Sequence, residues 1–292
     1  MIDLSIVIVS YNTKDFLIKC IQSIEETAKD FAYEIIVVDN ASADGTPELV
    51  KEKFKNVILI ANKENLGFSK ANNIGIKKTS GRFVLFLNAD TIIYPLTLKR
   101  MIDFMDNNKD AGASTCKLKM PNEKIDDASH RGFPTPWNSF CHFSGISKIF
   151  PKSKIFGGYN LSYLDLSKTH EIDALAGAFM MVRREVGNKV GWWDEDYFFY
   201  GEDLDFCYML KQNGWKVYYV PEVSILHYKG VSGGIKKISK EVTTANKETR
   251  KKAQTERFKA MRIFYKKHYE NKYPWIVTRL VYLGIWVKEL IS

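Results

Sequence analysis

Three carboxylates fall within four residues at Gly201-Glu202-Asp203-Leu204-Asp205, directly after an aromatic stretch, GWWDEDYFFY, at residues 191–200. The segment opens a helical pattern. One acid there would only cap free N–H groups and meet the positive end of the helix dipole. Three exceed the need of one cap. Against an aromatic wall, a partly desolvated carboxylate gains basicity and can serve as a general base, while the helix dipole pushes the other way. A second cluster, Asn88-Ala89-Asp90, ends the apolar run RFVLFL at residues 82–87. A lone Asp in that position is an ordinary turn residue, but it also suits a hard cation bridging diphosphate oxygens. His227, closing VSILH, adds a nitrogen ligand if that cation is Mn²⁺; its ordinary role is structural.

The elements that must position these groups alternate in type. Residues 4–9 (LSIVIV), 34–38 (EIIVV), 57–60 and 82–87 read as strands buried on both faces. Helical spacing separates them: Phe16, Leu17, Cys20, Ile21 and Ile24 within 14–27, then a short helix opened by Asp44-Gly45-Thr46-Pro47, then residues 69–78. A β-α-β-α order implies an α/β fold with a mostly parallel sheet and helices on both faces. Ligands bind at the carboxyl ends of such strands, and here those ends carry Tyr11-Asn12, Asp39-Asn40, Asn65 and Asn88-Ala89-Asp90. Farther on, residues 172–182 predict one strand, 203–213 a helix capped by Gly214, and 216–220 and 223–227 two short strands. The stretch 121–170 is irregular and rich in aromatic residues.

No G-x-G-x-x-G follows the first strand and no G-x-x-x-x-G-K-[ST] occurs, so a nucleotide on this sheet would be gripped by side chains and a divalent ion. The 292 residues are 45% hydrophobic and 26% charged, which excludes a disordered or fibrous chain. Cys20, Cys116, Cys141 and Cys207 form no C-x-x-C pair, which argues against a disulfide framework or zinc ribbon and for a reducing cytoplasm. Neither a secretory signal nor an apolar run of about 18 residues is visible. The net charge of +9 is concentrated: residues 236–272 hold thirteen Lys and Arg against four Glu, leaving the rest of the chain balanced.

Taken together the motifs resemble the inverting family 2 glycosyltransferases of the GT-A fold, over about residues 3–230. The matching fragments run in order: SIVIVSYN (5–12), IIVVDNASADGT (35–46), NLGFSKANNIGI (65–76), FLNAD (86–90), GAFMMVRREVGNKVGWWDEDYFFYGEDLDF (177–206) and GWKVYYVPEVSILHYKG (214–230). Bacterial rhamnosyltransferase-like polysaccharide enzymes are the most similar. The resemblance implies that Tyr11, Asn12 and Asp39 hold the nucleotide base and ribose, and that Asn65, Gly67, Phe68 and Asn72 line the base and sugar-phosphate site. Asn88-Ala89-Asp90 stands where the family carries D-x-D, which leaves Asp90 as the carboxylate ligand of Mn²⁺ or Mg²⁺ and His227 as a second protein ligand. Asp203 is the implied base, Glu202 orients the acceptor or the base, and Asp205 is the alternative base. Trp192 and Trp193 either stack on a sugar or pack in the core.

The expected reaction is a single displacement that moves a sugar, rhamnose from dTDP-rhamnose in particular, to a glycan or lipid-linked glycan acceptor in bacterial surface polysaccharide synthesis. A UDP-hexose donor, a polyprenyl-phosphate acceptor, and a catalytically silent nucleotide-binding or membrane-docking scaffold are the alternatives. The implied organisation is a nucleotide-sugar half (1–120), an acceptor half (121–230) and a basic helical extension (231–292). Within the extension, 253–268 reads as a basic helix broken at Tyr273-Pro274, and 275–291 as an apolar helix too short to span a bilayer. Trp275, Tyr282 and Trp286 with flanking Lys and Arg suit an anionic membrane surface. Packing on the catalytic domain, or a homo-oligomer contact, is the competing use. The expected location is the cytoplasm, peripheral to the inner face of the membrane, with no nucleic-acid partner.

Overall fold

Continuous β-branched runs dictate the centre of the molecule. The computed structural model describes residues 2–235 and 242–291; Lys236, Lys237 and Lys240 of the basic segment lie outside the described residues. The chain runs β1 (Leu4–Ser10), α1 (Lys14–Thr27), β2 (Tyr33–Asp39), α2 (Thr46–Lys53), β3 (Val57–Ala61), α3 (Phe68–Ile76) and β4 (Phe83–Asn88). It continues with β5 (Thr91–Ile93), α4 (Thr97–Asn107), β6 (Ala111–Lys119), α5 (Pro136–Ser144), α6 (Ile146–Ile149), β7 (His170–Ile172) and β8 (Phe179–Arg183). Then come α7 (Arg184–Val190), α8 (Glu202–Gln212), β9 (Lys216–His227), α9 (Lys247–His268) and α10 (Trp275–Leu290).

The described strands form one sheet in the order β3-β2-β1-β4-β8-β6-β9-β5, with β7 beside β9. The β1–β2, β1–β4, β2–β3 and β6–β9 pairs are parallel, and only β5, β7 and β8 run against the common direction. Alternation along β1 splits the core. Leu4, Ile6 and Ile8 face α1 and α4, where Leu17, Ile21, Met101 and Met105 meet them. Val7 faces the opposite layer with Phe86, Trp193, Phe206 and Leu210. Each such side chain withdrawn from water contributes about 1.5–3 kcal/mol, enough to hold the strand ends in register for a site.

Two expectations need correction. Residues 172–182 are not one strand: β7 and β8 are separated by residues 173–178, a loop that brings Ala176, Gly177 and Ala178 to the cleft. Conversely, residues 216–227 form a single strand across Pro221, because the β6–β9 register shifts between Cys116 and Lys117 and absorbs the irregularity. The reading of the sequence passed over β5, α4 and β6.

The C-terminal helices differ in attachment. Ala260, Phe264 and Tyr265 of α9 and Tyr269 just after it pack on Tyr197 and Tyr208, and His268 Nε2 lies 2.6 Å from Asp205 Oδ1. Helix α10 has no buried residue. It is tied back by the Tyr265–Thr278 hydroxyl pair at 3.0 Å, the Tyr282 hydroxyl donating to Glu270 at 3.2 Å, and an Arg262–Glu289 ion pair. Among the described residues no helix is long and apolar enough to cross a membrane.

Candidate active site

The carboxyl ends of β1, β2 and β4 open into one cleft of about 1440 Å³. From this side Tyr11, Asn65, Gly67, Phe68, Asn88, Ala89 and Asp90 line it. Glu202, Asp203 and His227 line it from the other elements. Asn12, Asp39 and Asn72, expected there too, do not form its wall. The Asn12 side chain accepts from Ala43 N at 2.8 Å and braces the 41–43 turn. Asn72 is buried in α3 and donates to Phe68 O at 2.9 Å. Asp39 is buried behind the cleft: its Oδ2 accepts from Ser42 N at 2.9 Å while Oδ1 has no partner. Burial raises its pKa above the usual carboxylate range.

Asn40 organises the neighbouring loop. Its amide donates to Asn65 Oδ1 at 2.9 Å and Gly67 O at 3.1 Å, and its carbonyl accepts from Asn62 and from Leu66 N. Gly67 has a positive φ of 85°, and a Cβ there would sit 2.5 Å from Phe198 O. Only glycine allows the Phe68 N–H to reach that carbonyl, at 2.7 Å. The loop before the three-acid cluster is thereby fastened to the nucleotide side.

His227 lies between two acids. Its Nδ1–H donates to Asp126 Oδ2 at 3.1 Å, while Nε2 lies 3.4 Å from Asp90 Oδ1 and 3.4 Å from Asn88 Nδ2. Burial disfavours the imidazolium, but the charge of Asp90 and the bond to Asp126 outweigh it and push the pKa up to about 9. Asp126 is buried, which alone would raise its pKa; His227 and the ion pair with Lys229 hold it well below the ordinary range instead. The arrangement suits a divalent ion: a carboxylate that fixes Nδ1 aims Nε2 at a second carboxylate, as in carboxylate–histidine–metal sites, and an ion bound there would take the place of the Nε2 proton. Among the described residues no trio of His, Cys, Asp or Glu makes a self-contained cage. Asp90 and His227 would therefore supply two ligands, with phosphate oxygens and water completing the set.

At the other end, α8 begins after Gly201, whose φ is 84°. Asp203 Oδ2 is 2.6 Å from Arg131 Nη2, which also donates to Leu175 O at 3.0 Å. Arg131 is itself pinned by paired backbone bonds with Ala174, each 2.9 Å. Glu202 is buried and its Oε2 has no partner. Burial and then the neighbouring Asp203 push its carboxyl up to about 8, so near neutral pH it holds its proton while Arg131 faces the anion of Asp203. Asp205, the alternative base, points away: it accepts from Tyr197 Oη at 3.0 Å and from His268, so it fastens α9. Trp193 stands 4.7 Å from Phe86 and is buried in the core, whereas Trp192, half-buried, lies parallel to Phe206 at 6.3 Å and donates its indole N–H to Asn188 at 2.9 Å.

Arg131 and Asp126 were not legible as site residues, because both come from the irregular 121–170 stretch. Their partners lie 72 and 101 positions away, and no local spacing signals such pairs.

The model of the family described as "Glycosyl transferase family 2" matches residues 5–191. An N-acetylglucosaminyl-diphospho-decaprenol L-rhamnosyltransferase of Mycobacterium tuberculosis is 27% identical over 242 residues, covering 79% of this chain and 78% of that protein. Rhamnosyltransferase WbbL of Escherichia coli K12 is 29% identical over 232 residues, covering 76% and 82%. Among solved structures, GalNAc-T7 with UDP, GalNAc and Mn²⁺ matches with a TM-score of 0.59 at 17% identity, over 78% of this chain but only 44% of that one. TarS of S. aureus with UDP matches at a TM-score of 0.53 and 17% identity, over 89% and 65%. These likenesses bear out the GT-A fold. The chain belongs to glycosyl transferase family 2, a family of inverting glycosyltransferases.

Proposed function

We propose that this glycosyltransferase moves rhamnose from dTDP-rhamnose to a lipid-linked glycan during bacterial surface polysaccharide synthesis, with a divalent ion bound. The observation that supports this best is a single cleft holding both the Asp90–His227 pair and the Arg131-paired Asp203. The names of the two rhamnosyltransferase relatives favour the donor sugar, and the first of them favours the acceptor class. On this reading residues 1–120 take the nucleotide sugar, 121–230 the acceptor and 231–292 the membrane side.

Asp203 accepts the proton of the acceptor hydroxyl as that oxygen attacks the anomeric carbon from the face opposite the leaving group. The bond from that carbon to the diphosphate breaks with its electron pair, and the nucleoside diphosphate departs. Arg131 orients the Asp203 carboxylate, and neutral Glu202 limits the negative charge beside it. Asp39 Oδ1, buried and unpartnered, is the acceptor for a pyrimidine N–H. When bound, a divalent ion held by Asp90 and His227 supplies charge neutralisation at the departing diphosphate.

Helix α10 then rests on an anionic bilayer through the exposed Trp275, Trp286 and Leu290, with Arg279 and Lys288 along the same helix. The deciding experiment measures hydrolysis and binding of a nucleotide-sugar panel with Mn²⁺, Mg²⁺ or EDTA. Metal-dependent selection of dTDP-rhamnose supports the reading; selection of a UDP-hexose reassigns the donor; no binding of any nucleotide sugar overturns it.

A further inference from the structure

The cleft does not end at Asp203. It continues outward between α5 and α10, and this outer part changes character. Phe140 and Phe143 of α5, Leu280, Leu283 and Val287 of α10 and Met261 of α9 line it, and the Lys288–Phe143 contact sets α10 across from α5. Phe140 is 56% exposed and Leu283 53%, so a continuous apolar channel stands open to solvent. At about 1440 Å³ the whole cleft exceeds the roughly 300–1,000 Å³ of ordinary small-molecule sites. A nucleotide sugar occupying its polar end leaves the apolar end unfilled.

The channel is a built feature rather than two helices that happen to lie apart. The three side-chain ties described above hold α10 to α9 and to the turn after it, and the Lys288 ammonium reaches across to the Phe143 ring, 5.9 Å from its centroid. Where the channel meets the catalytic end stands Arg257. It is half-buried, it lines the cleft, and among the described residues no carboxylate pairs with it. It lines the cleft together with Tyr200, two residues before Glu202, and with His142 of α5. Lys252, one turn earlier on α9, sits 3.8 Å over the Phe198 ring on the same side.

The order of chemistries along the cleft is therefore base, cation, apolar channel. We propose that the channel between α5 and α10 holds the isoprenoid chain of a polyprenyl-diphosphate-linked acceptor, with Arg257 meeting its diphosphate and the reacting sugar lying at Asp203. This rests on the glycosyltransferase reading above and names how the acceptor is held. An unpaired guanidinium suits a phosphate with two or more oxygens to offer. A long apolar chain is the occupant that removes both channel walls from water at once. A soluble glycan meets neither requirement.

The test compares two acceptors with one glycan diphosphate head, one bearing a geranylgeranyl chain and one a methyl group, on the full chain without vesicles. The wild type should show a KM lower by about tenfold or more for the long-chain acceptor, what shielding some two methylene groups from water yields. Phe140→Asp and Leu283→Asp, on opposite walls, should each bring the long-chain KM toward that of the methyl acceptor, and Arg257→Ala should raise the KM of both acceptors. Equal KM values in the wild type, with donor hydrolysis intact, overturn this proposal and leave the glycosyltransferase reading standing. Absence of donor hydrolysis overturns that reading instead. A channel that serves only as membrane contact shows as variants that lose phospholipid-vesicle binding with the KM ratio unchanged, which also overturns the proposal. Inhibition of the wild type by geranylgeranyl diphosphate against inorganic pyrophosphate needs no variant: equal inhibition by the two is a negative result.

Discussion

Arg131 Nη2 lies 2.6 Å from Asp203 Oδ2, an ion pair that joins the loop after β6 to the first turn of α8, while Oε2 of the adjoining Glu202 is buried without a partner. Two acids side by side in the sequence thus have different environments, one paired and one desolvated. That contrast divides their chemistry.

Asp203→Asn removes the proton acceptor and keeps the shape. Transfer should fall by about 10²–10⁴-fold while donor binding by calorimetry persists. Full turnover in this variant would sink the assignment of the base.

Arg131→Gln tests orientation. It leaves Asp203 without its cation in a buried setting, at a stability cost of about 3–5 kcal/mol, and should move the acid limb of the pH–rate profile to higher pH. A role confined to packing would lower kcat evenly across pH, so the limb position discriminates.

Glu202 carries a stability signature of opposite sign to that of a salt-bridged acid. Its folded pKa of about 8 stands above the reference 4.5. Below 4.5 both states hold the proton and nothing changes. As pH rises from 4.5 toward 8, the unfolded chain releases it first, so folding stability falls. Glu202→Gln should flatten that decline; melting temperatures at pH 5 and pH 8 measure it, and identical slopes in the two proteins count against a desolvated Glu202.

Asp90→Asn and His227→Ala should each weaken divalent-ion binding and lower donor turnover by about 10²-fold, whereas Asp126→Asn, acting through the His227 ring, should weaken it about 10–100-fold. EDTA should silence the wild type and Mn²⁺ restore it. Isothermal titration of Mn²⁺ with the nucleoside diphosphate present separates the three variants, and unchanged affinity in His227→Ala removes it from the ligand set.

Ending the chain at Tyr273 deletes α10 and spares the aromatic face of α9. Cosedimentation with anionic vesicles should drop, and the residual binding should weaken further with salt. Truncation from residue 236 is a poorer test, since it uncovers Tyr197 and Tyr208. Undiminished sedimentation of the shorter chain would defeat the membrane role of α10.

The nucleotide side was legible because its signals are local. The β-branched runs of β1, β2 and β4, and the polar residues at their ends, lie within a few positions of one another. The helix over residues 14–27 followed from apolar spacing alone. A motif names residues without saying which way an amide turns: the Asn12 side chain braces the 41–43 turn and that of Asn72 bonds back along α3. Arg131, Asp126 and Arg257 escaped notice for a different reason. A charge becomes informative only through its partner, and their neighbours are set by tertiary packing. The division of 172–182 into β7, a loop and β8 was hidden because Ala174, Leu175 and Ala176 are as apolar as the strands beside them.

The bond between Asp205 and His268 ties α8 to the penultimate helix, and Tyr273-Pro274 separates that helix from α10. That boundary is a natural splice point. A chimera that exchanges segments among relatives there inherits an undisturbed catalytic half and receives a new final helix. One joined upstream, within α9, must also import the tyrosine–histidine face that seats against Tyr208. If α10 holds the acceptor as proposed, acceptor preference and catalytic competence are separable by recombination at one position and inseparable a few turns earlier.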